Sequence, residues 1–263
     1  MLAAALLLGA PLLRAAPPAP PPQTPQGELH AAQLMATALL AGHASHEEWQ
    51  KLDQAFADLE TKYPDNAAMA NGHAEFLWNA GERDRAVKTW LAAEKLDPGN
   101  ATVLDHLGGC SFAAGDVRKA AGYYARAVSS APDNAGYQFS YANVAFLFRH
   151  DLHDATHPDS ESMAVEALQH FREAARLEPL NTDYVRAFAE TFYSLEKPDW
   201  QEALKTWQHL ADISPEKDFA LLNIARVYMK LGNRAGARAS LDRIQDPKYG
   251  RLKARLNERI DVE

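Results

Sequence analysis

The feature that most restricts the fold of this chain is a repeat of about 34 residues. Prolines recur at steps of 34, 34, 47 and 36 residues, at Pro64, Pro98, Pro132, Pro179 and Pro215. Apolar or small residues stand 12, 8 and 5 positions before each proline, and this spacing places them on one face of a helix. The position eight before the proline is always aromatic: Phe56, Trp90, Tyr124, Phe171 and Trp207. A period of this length predicts stacked helix-turn-helix units.

A column of small residues advances by the same steps: Ala74, Gly108, Ala142, Ala189 and Ala225. Each of them stands on the first helix of a unit, and four units carry an alanine early in the second helix: Ala86, Ala120, Ala167 and Ala203. Small side chains on both helices let the two backbones approach closely, while the aromatic residue fills the space towards the next unit. The two columns therefore predict tightly paired helices that cannot bury their apolar faces alone.

Turn residues fall at the positions that this arrangement requires. A glycine stands where a first helix must end in a left-handed residue, at Gly81, Gly115 and Gly232. An asparagine stands two residues after four of the prolines and predicts an N-cap for the next helix: Asn66, Asn100, Asn134 and Asn181. The local signals agree with the periodic pattern.

In each unit the small residue, the alanine, the aromatic residue and the proline together resemble the tetratricopeptide repeat family, across residues 32–251. The resemblance implies an all-α fold, a right-handed α-solenoid of helix-turn-helix repeats. Six units follow from it: 33–66, 67–100, 101–134, 135–181, 182–217 and 218–251. The first is degenerate, with Leu40 where the small residue is expected. The amphipathic segment 252–263, with Leu252, Leu256 and Ile260 on one face, predicts a C-terminal capping helix.

Two departures from the period locate insertions. Ala142 and Ala167 are 25 residues apart where Gly108 and Ala120 are 12 apart, so 13 extra residues enter the fourth unit at about 148–162. The fifth unit has two extra residues near Lys197. Insertions at one point of a solenoid emerge on one face and often carry specificity.

Residues 1–29 precede the solenoid, which we place at 30–263. Leu2 to Leu13 is a short apolar run, too short to span a bilayer, and residues 1–16 are typical of a secretory signal. Residues 17–29 form a proline-rich linker. We therefore expect export to the periplasm or the medium, or a cytoplasmic location if the segment is not a signal. No other stable membrane span is expected.

Composition and motifs limit the function classes. The chain has 27 basic and 35 acidic residues, a net charge of −8, and no basic run that could neutralise a phosphate backbone, so nucleic acid is not expected as a partner. The only cysteine, Cys110, excludes an internal disulfide and a thiolate metal cluster. No nucleophile elbow, phosphate loop, dinucleotide fingerprint or zinc-protease motif occurs. We expect no enzymatic activity and no cofactor.

In the resembled family, first-helix residues at −3, +1 and +4 from the small residue line a concave groove that binds peptides or proteins. The resemblance places the candidate partner-binding residues at Asn71, Glu75, Trp78, Asp105, Phe112, Phe139, Asn143, Phe146, Arg186, Glu190, Tyr193 and Arg226. Aromatic residues occupy the +4 position in four units of five, and Asn71 and Asn143 could hydrogen-bond a peptide backbone. The lysine and asparagine clamp by which some family members hold a C-terminal carboxylate is not reproduced.

Other interpretations stay open at the level of sequence. The groove aromatics could simply pack neighbouring first helices together. The chain could be a noncatalytic subunit or remnant of an enzyme complex. It could also be a metal-responsive regulator, because His150, His153 and His157 in the insertion would share one face if the helix ran through them. The identity of the partner and the oligomeric state do not follow from the sequence.

Overall fold

The computed structural model describes residues 24–42, 45–154 and 158–262. In this part of the chain there are fourteen α-helices and no strand, as the repeat pattern predicted. The helices are α1 (Pro25–Ala41), α2 (His46–Lys62), α3 (Ala67–Asn79), α4 (Arg83–Leu96), α5 (Ala101–Ala113), α6 (Val117–Ser130), α7 (Ala135–Leu147), α8 (Arg149–Leu152), α9 (Ser160–Leu177), α10 (Thr182–Thr191), α11 (Trp200–Ile213), α12 (Lys217–Lys230), α13 (Arg234–Asp242) and α14 (Gly250–Val262). Within these residues no helix is both long enough and apolar enough to cross a membrane.

The helices pack in pairs, and the pairs stack in chain order. The first helices of the six units are α1, α3, α5, α7, α10 and α12, and the second helices are α2, α4, α6, α9, α11 and α13. Each long helix packs against the one that precedes it and the one that follows it. The architecture is the predicted α-solenoid, in which contacts are made between neighbouring units.

The small-residue columns lie at the centre of this packing. Ala74, Ala142, Ala189 and Ala225 are fully buried, and so are the paired alanines of the second helices. Gly108 is approached so closely by the ring of Tyr124 that a Cβ atom built there would lie 2.7 Å from two of its carbons. The second-helix aromatic residue therefore occupies the space that a small first-helix residue leaves.

The predicted caps and turns are confirmed. The side chains of Asn66, Asn100, Asn134 and Asn181 each accept a hydrogen bond from a backbone N–H in the first turn of the following helix. The three turn glycines have φ angles of +87°, +81° and +71°, in the left-handed region that favours glycine: Gly81, Gly115 and Gly232. The asparagine side chains thus provide hydrogen-bond acceptors for N–H groups of the first helical turn, which have no acceptor within the helix.

The first unit differs from the sequence-based expectation in two ways. Helix α1 begins at Pro25, inside the segment predicted as a linker, because Thr24 caps it and proline is well suited to a first helical position. Leu40 is 48% exposed, whereas Ala36, about one turn earlier, is buried. Helix α2 begins three residues earlier relative to its proline than α4 does, and the connection before it is one residue longer, which together account for the four residues between Ala36 and Leu40. The signal-like segment 1–16 lies outside the described residues.

The insertion does not continue helix α7. That helix ends at Leu147, the short helix α8 follows, and the backbone at His153 is extended, with ψ of 144°. The condition for the metal-site alternative, a helix that runs on through the histidines, is therefore not met up to His153, and His157 lies outside the described residues. In the described part of the chain, no group of three or more potential ligand side chains could hold a metal ion.

The predicted capping helix is present as α14, which begins at Gly250 and packs against α12 and α13. Leu256 and Ile260 are buried, whereas Leu252 is only partly covered. The helix closes the apolar face of the sixth unit, which no further repeat would otherwise cover.

A buried histidine joins the first two units. The ring of His73 stacks on Phe56, its Nδ1 lies 2.6 Å from the carboxylate of Glu60, and its Nε2 lies 2.8 Å from that of Asp53. Burial lowers the pKa of His73, but the two carboxylates outweigh it and the pKa is raised above the ordinary value. Both ring nitrogens then donate, and the imidazolium links α2 to α3.

The close approach at Gly108 gives a first prediction. Gly108→Ala should destabilise the fold by about 1–3 kcal/mol, because the new methyl group overlaps the ring of Tyr124. Gly122→Ala is the matched control, since Gly122 is exposed in helix α6 with open space around it. It should stabilise by about 0.5–1 kcal/mol through helix propensity. Urea denaturation followed by circular dichroism measures both changes, and equal effects would contradict the packing account.

The His73 linkage gives a second prediction. A group whose pKa is raised on folding contributes stability that is complete below its unfolded pKa and is lost as the pH rises through its folded pKa. The melting temperature of the wild type should therefore fall as the pH rises above about 6.5. His73→Gln should lose this component, while His150→Gln, at an exposed position, should keep it. Melting curves across this range test the effect, and an unchanged profile in His73→Gln would refute it.

Candidate partner-binding groove

Side chains connect successive first helices along one surface of the solenoid. The carboxylate of Glu75 lies 3.4 Å from Nε2 of His106, the rings of Phe139 and Tyr184 are 4.6 Å apart, and the Arg186 guanidinium lies 5.5 Å from the ring of Phe219. We call this the first-helix surface, formed by the −3, +1 and +4 positions of units 2 to 6. All of the predicted groove residues lie on it.

Aromatic residues of this surface are covered less completely than those of the core. Phe112 and Tyr193 are 40% and 38% exposed, and Trp78 and Phe146 are half-buried. In contrast, the second-helix aromatics are at most 1% exposed in units 2, 4 and 5: Trp90, Phe171 and Trp207. The +4 aromatics of the first helices therefore keep part of each ring accessible to a partner, while these three second-helix aromatics are enclosed in the core.

Each exposed aromatic residue still packs on one side. Phe112 lies edge-on to Phe148 at 5.9 Å, in the turn before the insertion. Trp78 lies 5.5 Å from the ring of Trp90, and the guanidinium of Arg83 covers it at 3.7 Å. These contacts fix ring orientation before any partner arrives, and they show that packing and exposure coexist at the same residues.

The amide nitrogens of the two groove asparagines already donate within the chain. Asn71 Nδ2 donates to Glu75 at 2.9 Å, and Asn143 Nδ2 donates to the Phe139 carbonyl at 3.0 Å. Asn71 Oδ1 also accepts from Nε1 of Trp90 at 3.1 Å. Asn71 therefore holds the buried Trp90 in place by a hydrogen bond. A role for either asparagine in binding a peptide backbone stays a prediction.

Two carboxyl groups of this surface have raised pKa values. Burial raises the pKa of Asp105, with the charge of His106 and a hydrogen bond from Ser140 acting in the opposite direction. Burial also raises the pKa of Glu190, and the positive charge of Arg186 opposes the shift. Partial burial thus disfavours the ionised form of both carboxyl groups relative to carboxyl groups in water.

A cavity of about 540 Å³ opens at the C-terminal end of the first-helix surface. It brings together three predicted residues, Glu190, Tyr193 and Arg226, with six others: Phe219, Asn223, Met229, Lys230, Leu256 and Arg259. The last two belong to helix α14. Sequence reasoning missed them because it assigned that helix to capping alone, although its amphipathic pattern showed which residues would face the solenoid.

The comparisons with known proteins agree with this architecture. A family model described as tetratricopeptide repeat matches residues 219–246. The solved structure of YrrB, a tetratricopeptide protein with an unusual peptide-binding site, superposes with a TM-score of 0.59 at 19% identity, over 72% of this chain and 90% of YrrB. Pseudomonas aeruginosa PilF superposes with a TM-score of 0.58 at 14% identity, over 90% of this chain and 98% of PilF.

The chain contains a segment that matches the tetratricopeptide repeat, and it has the fold of tetratricopeptide repeat proteins. PilW, a type IV pilus biogenesis factor, shares the fold with a TM-score of 0.52 at 13% identity, over 82% of this chain and 92% of PilW. No curated protein matches the chain in sequence. At these identities the solved structures establish the fold alone, and the partner has to be argued from this protein's own surface.

The buried tryptophans of units 2 and 5 stand at equivalent positions but differ in their hydrogen bonding. In unit 2, Trp90 Nε1 donates to Asn71. In unit 5 the equivalent pair is Trp207 and Arg186, and arginine has no acceptor. As a result, neither Trp207 Nε1 nor Arg186 Nε has a hydrogen-bond partner among the described residues, although both atoms are buried. Unit 5 therefore places two unpaired donors where unit 2 has a donor and an acceptor.

This difference predicts that replacing Asn71 and replacing Arg186 will lower the free energy of unfolding by different amounts. Asn71→Leu should destabilise the protein by about 1–3 kcal/mol, because Trp90 Nε1 becomes a buried donor without an acceptor. Arg186→Leu should cost much less, since no hydrogen bond of Trp207 depends on it. Urea denaturation of both variants tests this. Equal losses would show that the Asn71 to Trp90 bond does not distinguish the units.

Proposed function

We propose that this protein is a noncatalytic interaction scaffold that binds a peptide or protein partner in the concave groove formed by its first-helix surface. The tetratricopeptide fold supports a scaffold role, and YrrB shows that a protein of this fold can carry a peptide-binding site. The groove assignment rests on one observation of this chain: the aromatic side chains at the +4 position of the first helices remain partly exposed, while those eight residues before the prolines, on the second helices, are buried. Exposed aromatic residues on a rigid frame are common anchors of protein interfaces.

The same proposal holds that the protein catalyses no reaction. The sequence has no recognised catalytic motif, and burial raises the pKa of the Cys110 thiol, which makes it a poor nucleophile. The carboxyl groups of Asp105 and Glu190 are partly buried on the first helices, and burial raises the pKa of both. We assign these groups to packing and partner binding.

We further propose that the scaffold acts in the cell envelope. The support is the apolar run Leu2 to Leu13, followed by a proline-rich segment before the first helix at Pro25. The shared fold with PilW, a type IV pilus biogenesis factor, is consistent with this location. Fractionation of cells that express the full chain tests it, and recovery in the cytoplasm with an intact N-terminus would contradict it.

The groove proposal is tested by a quantitative pull-down from native extract. Phe112→Ala and Tyr193→Ala should each weaken capture of the specific partner by about 1–3 kcal/mol in binding free energy, as expected for aromatic anchors. Val165→Ala is the control, because Val165 is a comparably exposed apolar residue (39%) on a second helix, α9. Its capture should be unchanged.

Melting curves of the same variants separate binding from folding. If the two aromatics were purely packing residues, their replacement would cost about 3–5 kcal/mol of stability, and capture would fail only as the fold fails. A partner retained by stably folded Phe112→Ala and Tyr193→Ala would rule out binding by the first-helix surface.

A further inference from the structure

The cavity at the C-terminal end of the groove is cationic, although the protein as a whole is acidic. Three of its lining residues are basic, Arg226, Lys230 and Arg259, and one is acidic, Glu190. The chain carries a net charge of −8. Because surface charges are screened over about 10 Å at 0.1 M salt, the local charge and not the net charge decides what binds here. An anionic group is the complementary ligand.

Part of the cavity lining is apolar and rests on the core. Phe219, Met229 and Leu256 line it, and the ring of Phe219 packs edge-on against the buried Trp207 at 5.7 Å. A floor supported in this way cannot collapse into the cavity. It therefore offers a fixed surface to an apolar side chain of a ligand.

Hydrogen bonds hold the polar part of the cavity in place. Asn223 Nδ2 donates to the Phe219 carbonyl at 3.0 Å, and Asn223 Oδ1 accepts from Arg226 Nη1 at 3.1 Å. The hydroxyl of Tyr193 donates to the Asn223 carbonyl at 3.3 Å. Arg226 is thus positioned before a ligand arrives, which reduces the entropy lost on binding.

The two unpaired donors of unit 5 add to the positive field. Trp207 and the Arg186 guanidinium both contact Phe219, at 5.7 Å and 5.5 Å. Neither Trp207 Nε1 nor Arg186 Nε is balanced by an acceptor among the described residues. Their partial positive charges lie beside the cavity in a partly buried setting, where electrostatic interactions are stronger than in water.

We propose that this cavity, which we call the cap pocket, binds a segment of the partner protein in which a carboxylate stands next to an apolar side chain. The inference rests on the proposed function and specifies the chemistry of its ligand. The apolar side chain contacts Phe219, Met229 and Leu256, and the carboxylate pairs with Arg226, Lys230 and Arg259. A volume of about 540 Å³ suits a few side chains of a peptide. Helix α14 therefore binds the ligand as well as covering the last unit.

The test begins with selection of peptides from a random display library on the immobilised full chain. We expect enriched sequences to carry Asp or Glu beside Leu, Ile, Met or Phe, or an apolar residue at a free C-terminus. The enriched peptides are then synthesised with fluorescein, with free and with amidated C-termini, and titrated by fluorescence anisotropy. Replacing the acidic residue by its amide, or amidating the terminus, should weaken binding about tenfold and so identify the carboxylate that is read.

Protein variants locate the peptide. The double variant Lys230→Gln with Arg259→Gln should bind the peptides at least about tenfold more weakly, because both removed charges line the pocket. Arg251→Gln is the matched control: Arg251 is also exposed on helix α14 but does not line the pocket. It should bind as the wild type does. Melting curves confirm that all variants are folded.

The outcomes separate this inference from the function on which it rests. Two results would overturn the cap pocket and leave groove binding intact. In the first, the selected peptides bind without any carboxylate. In the second, they bind the double variant normally but lose affinity for Phe112→Ala. A library that yields no binding peptide, or peptides indifferent to every first-helix variant, overturns both.

Discussion

The structure depends on the close approach of the two helices within each unit. That approach is possible only where both helices carry a side chain no larger than a methyl group, as at Ala74 with Ala86 and at Ala189 with Ala203, all fully buried. At Gly108 even a methyl group is excluded, because the ring of Tyr124 fills its place. The large aromatic residues of the second helices pack around these points, against the first helix of their own unit, as Tyr124 does, and in part against the first helix of the next unit, as Trp90 does on His106.

The aromatic residues of the two helices in a unit differ in burial. Both helices contribute to the core, and the second-helix aromatics eight residues before the prolines are buried in it. First helices lie on the other side of the contact, and their +4 aromatics pack along one edge only, which leaves ring area at Phe112 and Tyr193. The exposed ring area is therefore a consequence of how the units stack. At the −3 position the residue differs between units, and at Asn71 it also takes part in packing, because its Oδ1 accepts the hydrogen bond of Trp90.

The sequence predicted the fold well because both columns and the caps are local, periodic signals. It was less accurate in the first unit, which departs from the 34-residue register. Leu40 stands where the register places the small residue and is 48% exposed, whereas Ala36 is buried. The local signals for the helix starts, Thr24 before Pro25 and the capping box of Ser45 and Glu48, were present in the sequence but lay outside the repeat pattern. The pocket residues Leu256 and Arg259 could not be predicted as ligand contacts, since their role depends on how α14 lies across unit 6. The fastening of Trp90 by Asn71 likewise joins side chains 19 residues apart, on different helices.

The junction of units 1 and 2 combines two kinds of interaction. Apolar side chains pack there, among them Phe56 and Phe76 with their rings 5.2 Å apart, and the ring of His73 contacts the carboxylates of Asp53 and Glu60. The last unit is covered by the apolar side chains of Leu256 and Ile260. In a stack whose units contact mainly their neighbours, local opening costs least at an end. Because imidazole can donate to both carboxylates only when it is protonated, opening of the N-terminal end should become easier as the pH rises, in addition to any loss of apolar packing.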